Sequence, residues 1–269
     1  MEQIAYYQDN GGEKIEAKLE LARTYLTIYG SGWVAPDGDE HYLGASLEAV
    51  AKARHKINKR KHPDGDCVMD YCPTCIEFFD TINSYDNIVR LDIYCHGWGM
   101  GLNFGGFKGK RTIRGIELNS DDIDWAPLGD HESEGRNLRQ LIINQIDIFD
   151  PSSFNESPNI YFWGCNIGGQ LTLKYEHVLD TTFRVDGNLV SPKECFAQKF
   201  AERIGKGNVY ALVGRVAEGS SGGSVFKSDG KNLYFLDGQM LPANVAANRK
   251  GGSTIDIDAE KHMKKFPLP

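Results

Sequence analysis

The sequence predicts an α/β fold, a mainly parallel central sheet with helices on both faces. Three observations predict it. Apolar runs at 87–95, 159–164 and 208–213 are nearly continuous, as strands buried on both faces of a sheet require. Segments 45–60, 74–84 and 194–204 carry apolar residues at helical spacing. Strand and helix alternate along the chain, which is the pattern of helices packed on a parallel sheet. The 269 residues read as one domain, with its core at about 22–214 and a C-terminal hairpin and tail at 215–269. A domain of that length buries a large core without needing a disulfide or a metal.

The elements follow in order. Residues 1–18 are polar and read as a ragged start, while 22–29 (ARTYLTIY) are β-branched and aromatic and read as a strand ending at Gly30. Leu47, Val50, Ala51 and Ile57 mark one face of a helix over 45–60, whose last turn is basic, as the helix dipole favours. The basic run HKINKRKH reads as the solvated end of that helix. Residues 62–75 read as a loop, and Ile76, Phe79 and Ile82 set a short helix over 74–84. The run 87–95 is a buried strand, and 97–109, with six glycines, is a mobile or tightly turned loop. Residues 111–118 suggest a strand, the acidic stretch 120–134 an exposed loop, and 137–148 a helix. Pro151 and Pro158 flank a loop before the strand at 159–164. The helix at 194–204 stops at Gly205, a strand follows at 208–213, and 224–236 is a hairpin across Asp229-Gly230. The tail is polar and basic.

Composition excludes several function classes. Lys plus Arg is 30 against 37 for Asp plus Glu, a net charge of −7, so binding of nucleic acid or anionic membrane through bulk charge is not expected. With 41% hydrophobic and 25% charged residues the chain is of the ordinary globular kind. No stretch reaches the roughly 18 apolar residues of a membrane span, and the N-terminus carries no secretory pattern. The expected location is cytoplasmic, or exported without a cleavable signal peptide. The six cysteines, Cys67, Cys72, Cys75, Cys95, Cys165 and Cys195, then read as thiols.

Two buried strands end in reactive residues, one in His96-Gly97 and the other in Gly164-Cys165. Ligands of open α/β sheets bind beyond the carboxyl ends of the strands. If these two strands are parallel neighbours, His96 and Cys165 leave the same edge. An imidazole beside a thiol takes its proton and produces the nucleophilic thiolate. The backbone N–H groups of Gly97 and Cys165 could form an oxyanion hole for acyl transfer. Cys95 alternates to the opposite side from His96 and reads as a core thiol.

The runs Leu91-Asp92-Ile93-Tyr94-Cys95-His96-Gly97 and Tyr161-Phe162-Trp163-Gly164-Cys165-Asn166, with the helix-strand unit from Phe196 to Gly214, resemble the caspase-fold (clan CD) cysteine peptidases. The likeness spans about 74–214 and is nearest to the bacterial legumain-like and caspase-like branch. It implies a single caspase-like domain and a cysteine endopeptidase. His96 would be the base, Cys165 the nucleophile, and the amides of Gly97 and Cys165 the oxyanion donors. Trp98, Asn166 and Gly214 are the substrate-binding candidates. No cofactor is implied. The partners are a protein or peptide substrate, with an inhibitor or immunity protein as a further candidate. A secreted bacterial toxin and a self-processing regulatory protease are both compatible with the class, and the cut sites expected for processing are 120–135 and 217–224. Trp163 stands where metacaspases carry the Asp that recognises a basic P1 residue, and the caspase Gln-Ala-Cys signature is absent. P1 preference therefore stays open. The stretch between the dyad residues is longer than a minimal caspase fold needs, and an insertion near 99–135 would supply the difference.

Other patterns carry competing readings. His62, Cys67, Cys72 and Cys75 could hold structural zinc, but only one C-x-x-C is present and no metal is expected. Gly219-Ser220-Ser221-Gly222-Gly223 imitates the nucleophile loop of chymotrypsin-like proteases, whose antiparallel barrels the helices contradict. His96-Gly97-Trp98-Gly99 with Gly164–Gly168 imitates an α/β-hydrolase, but Asn166 would hold the nucleophile position, where it cannot attack a carbonyl. Two alternatives to the peptidase remain, an inactive caspase-like binding module and a non-peptide acyl hydrolase. Asp92 on its buried strand could orient a group near the site but is expected to pair with Arg90 or a lysine at a strand edge, and Trp163 to lie in the core.

Overall fold

The computed structural model describes residues 2–8, 14–31, 44–120, 138–164, 167–169, 190–213, 225–228, 231–235, 254–255, 260 and 263–267. The elements in chain order begin with β1 (Glu2–Gln8), β2 (Lys14–Glu20), β3 (Thr24–Tyr29), α1 (Gly44–Lys61), β4 (Asp66–Tyr71), α2 (Cys75–Asn83) and β5 (Ile88–Tyr94). Short strands β6 (His96–Trp98), β7 (Gly101–Asn103), β8 (Lys110–Ile113), β9 (Ile116–Asn119) and β10 (Gln140–Ile142) follow. Then come two 3-10 turns, β11 (Phe154–Phe162), α3 (Phe196–Ile204), β12 (Asn208–Ala211), β13 (Val225–Ser228), β14 (Lys231–Phe235), β15 (Thr254–Ile255) and β16 (Lys264–Phe266).

The chain is α/β, with a six-stranded central sheet in the order β16-β12-β11-β5-β3-β4. Every pairing in it is parallel except that of β16 with β12. The two faces of the sheet differ in chemistry. On one face Leu26, Ile28, Leu91, Ile93, Ile160, Phe162, Val209 and Ala211 join the buried side chains of α2 and α3 in a single apolar cluster. Its centre is aromatic, with Phe149 edge-on to Phe78 and Phe200 at 5.6 and 4.8 Å. The other face carries α1, whose Leu47, Val50, Ala51 and Ile57 are buried. Alternation along β5 and β11 turns Asp92, Tyr94 and Tyr161 toward it, and Trp163 beyond the end of β11 follows. Tyr94, Trp163, Tyr161 and Tyr210 stack in a row across these strands, with rings 4.9–6.1 Å apart.

Local sequence explains most of these elements. Thr74 caps α2 by accepting the Glu77 N–H, and Gly205 ends α3 in the left-handed conformation at φ 66°. The 97–109 stretch is tightly turned, with β6 and β7 paired antiparallel across Trp98 and Gly101.

Other segments depart from expectation. Residues 2–8 and 14–20 form an antiparallel hairpin rather than a ragged start. The expected loop at 62–75 contains β4, an edge strand parallel to β3, with a half-buried pattern that leaves no continuous apolar run. The expected helix at 137–148 is β10 followed by a 3-10 turn. Pairing of β10 with β7, and Phe104 N–H donated to the Arg139 carbonyl at 2.7 Å, override the helical spacing. Pro158 lies inside β11, where the register with β5 shifts between Phe154 and Asn159, because proline has no N–H for the ladder. The tail also supplies β16, anchored by buried Phe266. The hairpin across Asp229-Gly230 is present as β13 and β14. The acidic stretch from 121 and the Gly/Ser stretch 217–224 lie outside the described residues. Among those described, no helix is long and apolar enough to cross a membrane.

Candidate active site

Strands β5 and β11 are adjacent and parallel, with Leu91 opposite Ile160 and Ile93 opposite Phe162. The pairing continues past the end of β11, where the Trp163 N–H donates to the Ile93 carbonyl at 2.9 Å. One residue on, Gly164 lies so close to Cys95 that a Cβ there would sit 2.4 Å from the Cys95 carbonyl oxygen and 2.6 Å from Ile167 Cδ1. Only glycine fits that approach. The sequence therefore puts His96 and Cys165 each one residue past a pair of backbone positions in contact. Cys165 and Asn166 themselves lie outside the described residues, as do Gly214 and the side chain of Trp98.

His96 opens β6 opposite Asn103, and its ring is largely shielded. Its Nε2 is buried and has no hydrogen-bond partner among the described residues. Burial lowers the His96 pKa below the ordinary imidazole value. The ring is then neutral near pH 7 and able to accept a proton. Gly97 follows, opposite Leu102. Cys95 is buried in the apolar cluster, on the side away from Asp92 and Tyr94.

The loops beyond both strands are fixed by the start of α3. The Phe196 N–H donates to the Gly99 carbonyl at 2.8 Å, in the β6–β7 turn. The Ala197 N–H donates to the Ile167 carbonyl at 3.2 Å, and the Gly168 N–H to the Leu212 carbonyl at 3.0 Å. One helix terminus thus holds the segments that follow His96 and Cys165.

Behind the site, on the α1 face, lies a buried charged network. Asp92, fully buried, accepts from Arg90 Nε and Nη2 at 2.7 and 3.0 Å and from Trp163 Nε1 at 3.0 Å. Arg54 Nε lies 3.7 Å from the same carboxylate, and Glu260 reaches Arg90 at 2.8 Å and Arg54 at 3.3 Å. Burial alone would raise the Asp92 carboxyl, but the charges of Arg90 and Arg54 and the hydrogen bonds from Arg90 and Trp163 hold it below the ordinary value. Arg54 also stands 5.3 Å over the Trp163 ring, and Arg90 lies 4.1 Å over Tyr161. The Asp92–Trp163 bond ties β5 to the end of β11 just before the two candidate residues. Sequence reasoning found the Arg90–Asp92 pair but missed Arg54 and Glu260. Arg54 had a signal, since it falls on the helical stripe of Leu47, Val50, Ala51 and Ile57.

The cysteines near 62–75 do not gather around a common centre. Cys67 Sγ faces the His62 carbonyl at 3.8 Å, Cys72 Sγ contacts Thr81 Oγ1 at 3.3 Å, and Cys75 is buried at the start of α2. Among the described residues no group of three or more His, Cys, Asp or Glu is placed to hold a metal ion. Burial pushes the Cys72 thiol up to about 12 and also raises Cys67 and Cys195, so none of these three is a ready nucleophile.

Comparisons with protein-family models, curated proteins and solved structures found no match to this chain.

Proposed function

We propose that this protein is a cysteine endopeptidase of the caspase-like class, with His96 as base and Cys165 as nucleophile. The observation that carries the reading is the buried Nε2 of His96, which has no partner among the described residues and lies two residues past β5, beside the strand that Trp163, Gly164 and Cys165 follow. A buried imidazole nitrogen without a partner is costly to maintain, and a thiol proton would satisfy it. His96 takes the Cys165 proton, and the sulfur forms a bond to a peptide carbonyl carbon. The amides of Gly97 and Cys165 stabilise the resulting oxyanion. The C–N bond then breaks as His96 returns the proton to the leaving amine. Water, deprotonated by His96, cleaves the thioester and frees the thiol.

The caspase-like resemblance also fits the sheet. Counting from β3, the strands of this sheet run 2-1-3-4-5-6 with only the sixth antiparallel, and the two candidate residues follow the third and the fourth. The test is a search for new N-termini by mass spectrometry in a bacterial lysate treated with wild-type protein or with Cys165→Ala. Termini present only with the wild type are expected, and they define P1 and any self-cleavage. Identical samples from folded proteins would overturn the reading, as would Cys165→Ser acting at the wild-type rate.

A further inference from the structure

At the edge of the sheet opposite His96, a cleft of about 450 Å³ opens at the amino ends of β3, β5 and β11. This is within the size range of small-molecule sites. Arg23, Tyr25, His62, Arg90, Ser157 and Asn159 are among its lining residues, and among the described residues no Asp or Glu lines it. In a chain of net charge −7 a described wall with two arginines, a histidine and no carboxylate runs against the average surface. We propose that this cleft binds a phosphate group, free or as a monoester, through Arg23, His62, Ser157 and Asn159.

The donors come from three stretches of the chain, before β3, after α1 and within β11, and are unspent among the described residues. Arg90 forms the wall with its charge balanced by Asp92 and Glu260. The Arg23 guanidinium has no partner among the described residues, and its backbone carbonyl is fixed by the Asp66 N–H at 2.9 Å. The His62 ring is stacked on Tyr25 at 3.9 Å and 13°, which sets its plane and leaves both ring nitrogens without a hydrogen bond among the described residues. The Asn159 amide oxygen accepts from Asn208 Nδ2 at 3.0 Å, so the Asn159 Nδ2 remains to donate. The Ser157 hydroxyl is likewise unengaged among the described residues. A guanidinium fork, an imidazole N–H, an amide and a hydroxyl suit the several acceptor oxygens of phosphate. The local field agrees. Burial lowers the His62 pKa, and Arg90, Lys61 and Arg23 lower it further. A bound anion would cancel that field. The cleft lies about 20 Å along the strands from His96, so this inference stands apart from the peptidase reading.

The experiment is calorimetric titration of the full chain with inorganic phosphate and, separately, with ribose 5-phosphate, at low chloride. Histidine-ring NMR runs in parallel. One saturable site is expected, weakened about tenfold or more by Arg23→Gln, with the His62 pKa raised on binding. Similar binding of both probes would identify free phosphate as sufficient, and binding of the ester alone would identify an organophosphate. His62→Gln repeats the test should Arg23→Gln alter the urea midpoint. Absence of saturable binding by both probes overturns the proposal. So does saturable binding that both substitutions leave unchanged.

Discussion

Replacing Asp92 with Asn removes the one fully buried carboxylate of the α1 face among the described residues and leaves its shape in place. In the native network two guanidiniums, Arg54 and Arg90, face two carboxylates, Asp92 and Glu260. After the substitution only Glu260 remains, and it is partly exposed. The interior then holds a surplus positive charge, and whichever way the new amide is turned, its NH2 faces an N–H of Arg90 that needs an acceptor. Removing one partner of a buried pair costs about 3–5 kcal/mol. That is a large part of the roughly 5–15 kcal/mol that holds a domain folded. Urea denaturation at pH 7 should show the loss as a lower midpoint at unchanged slope. The pH dependence supplies a second mark. The folded-state pKa of Asp92 lies below its usual value of 3.8, so its contribution is complete above about pH 4 and disappears as pH falls through the folded value. That acid limb should shrink in Asp92→Asn. Adding Arg54→Met should recover part of the loss, since it removes the surplus charge. A loss below about 1 kcal/mol, the range of screened surface pairs, would refute the account of a dry network.

Two further predictions concern the candidate site. Gly164→Ala places a Cβ 2.4 Å from a backbone oxygen that the sheet holds still. It should cost about 1–3 kcal/mol in urea denaturation and slow alkylation of Cys165 by iodoacetamide, because the chain must back away from β5. In native protein at pH 7.5 the same reagent should leave Cys72 and Cys195 unlabelled until urea is added. Cys165 should react quickly, and His96→Gln should slow it about tenfold or more. Peptide mapping distinguishes the thiols, and rapid native labelling of Cys72 would contradict its burial.

The readable parts of the fold are those where one physical constraint acts alone. Strand β5 and the later half of β11 are largely covered on both faces and β12 is buried on one, so their apolar runs are visible in the sequence. Strand β4 is an edge with half-buried side chains and shows no such run. Residues 137–148 have helical spacing, but β7 offers them a partner that local sequence does not show. In the site, His96-Gly97 and Gly164-Cys165 were legible as abrupt ends of buried strands, and the need for Gly164 now has a steric cause. The partnership of Arg90 with Glu260 crosses 170 positions and has no local signature. Arg54 could have been found, because a charged residue on a buried helical stripe requires a buried counter-charge.

The start of α3 constrains where an oxyanion could be held. A helix N-terminus is a natural anion site because its first N–H groups are unspent. Here the Phe196 and Ala197 N–H groups serve the Gly99 and Ile167 carbonyls, the Gln198 N–H serves Cys195 Sγ at 3.4 Å, and the Lys199 N–H serves the Cys195 carbonyl. None is left for a substrate, which leaves the amides of Gly97 and Cys165 as the donors of the oxyanion hole proposed above. The same geometry assigns Cys195 a structural task as N-cap, with its thiol donating to the Pro192 carbonyl at 3.2 Å. Cys195→Ser keeps both bonds with a better capping atom and should leave stability equal or higher. Cys195→Ala loses the cap and should cost about 1 kcal/mol. Because the cap acts on the helix rather than on the thiol, Cys195→Ser should leave the alkylation rate of Cys165 unchanged. A large fall in that rate with Cys195→Ser, at unaltered urea midpoint, would place Cys195 in the chemistry and refute its purely structural role.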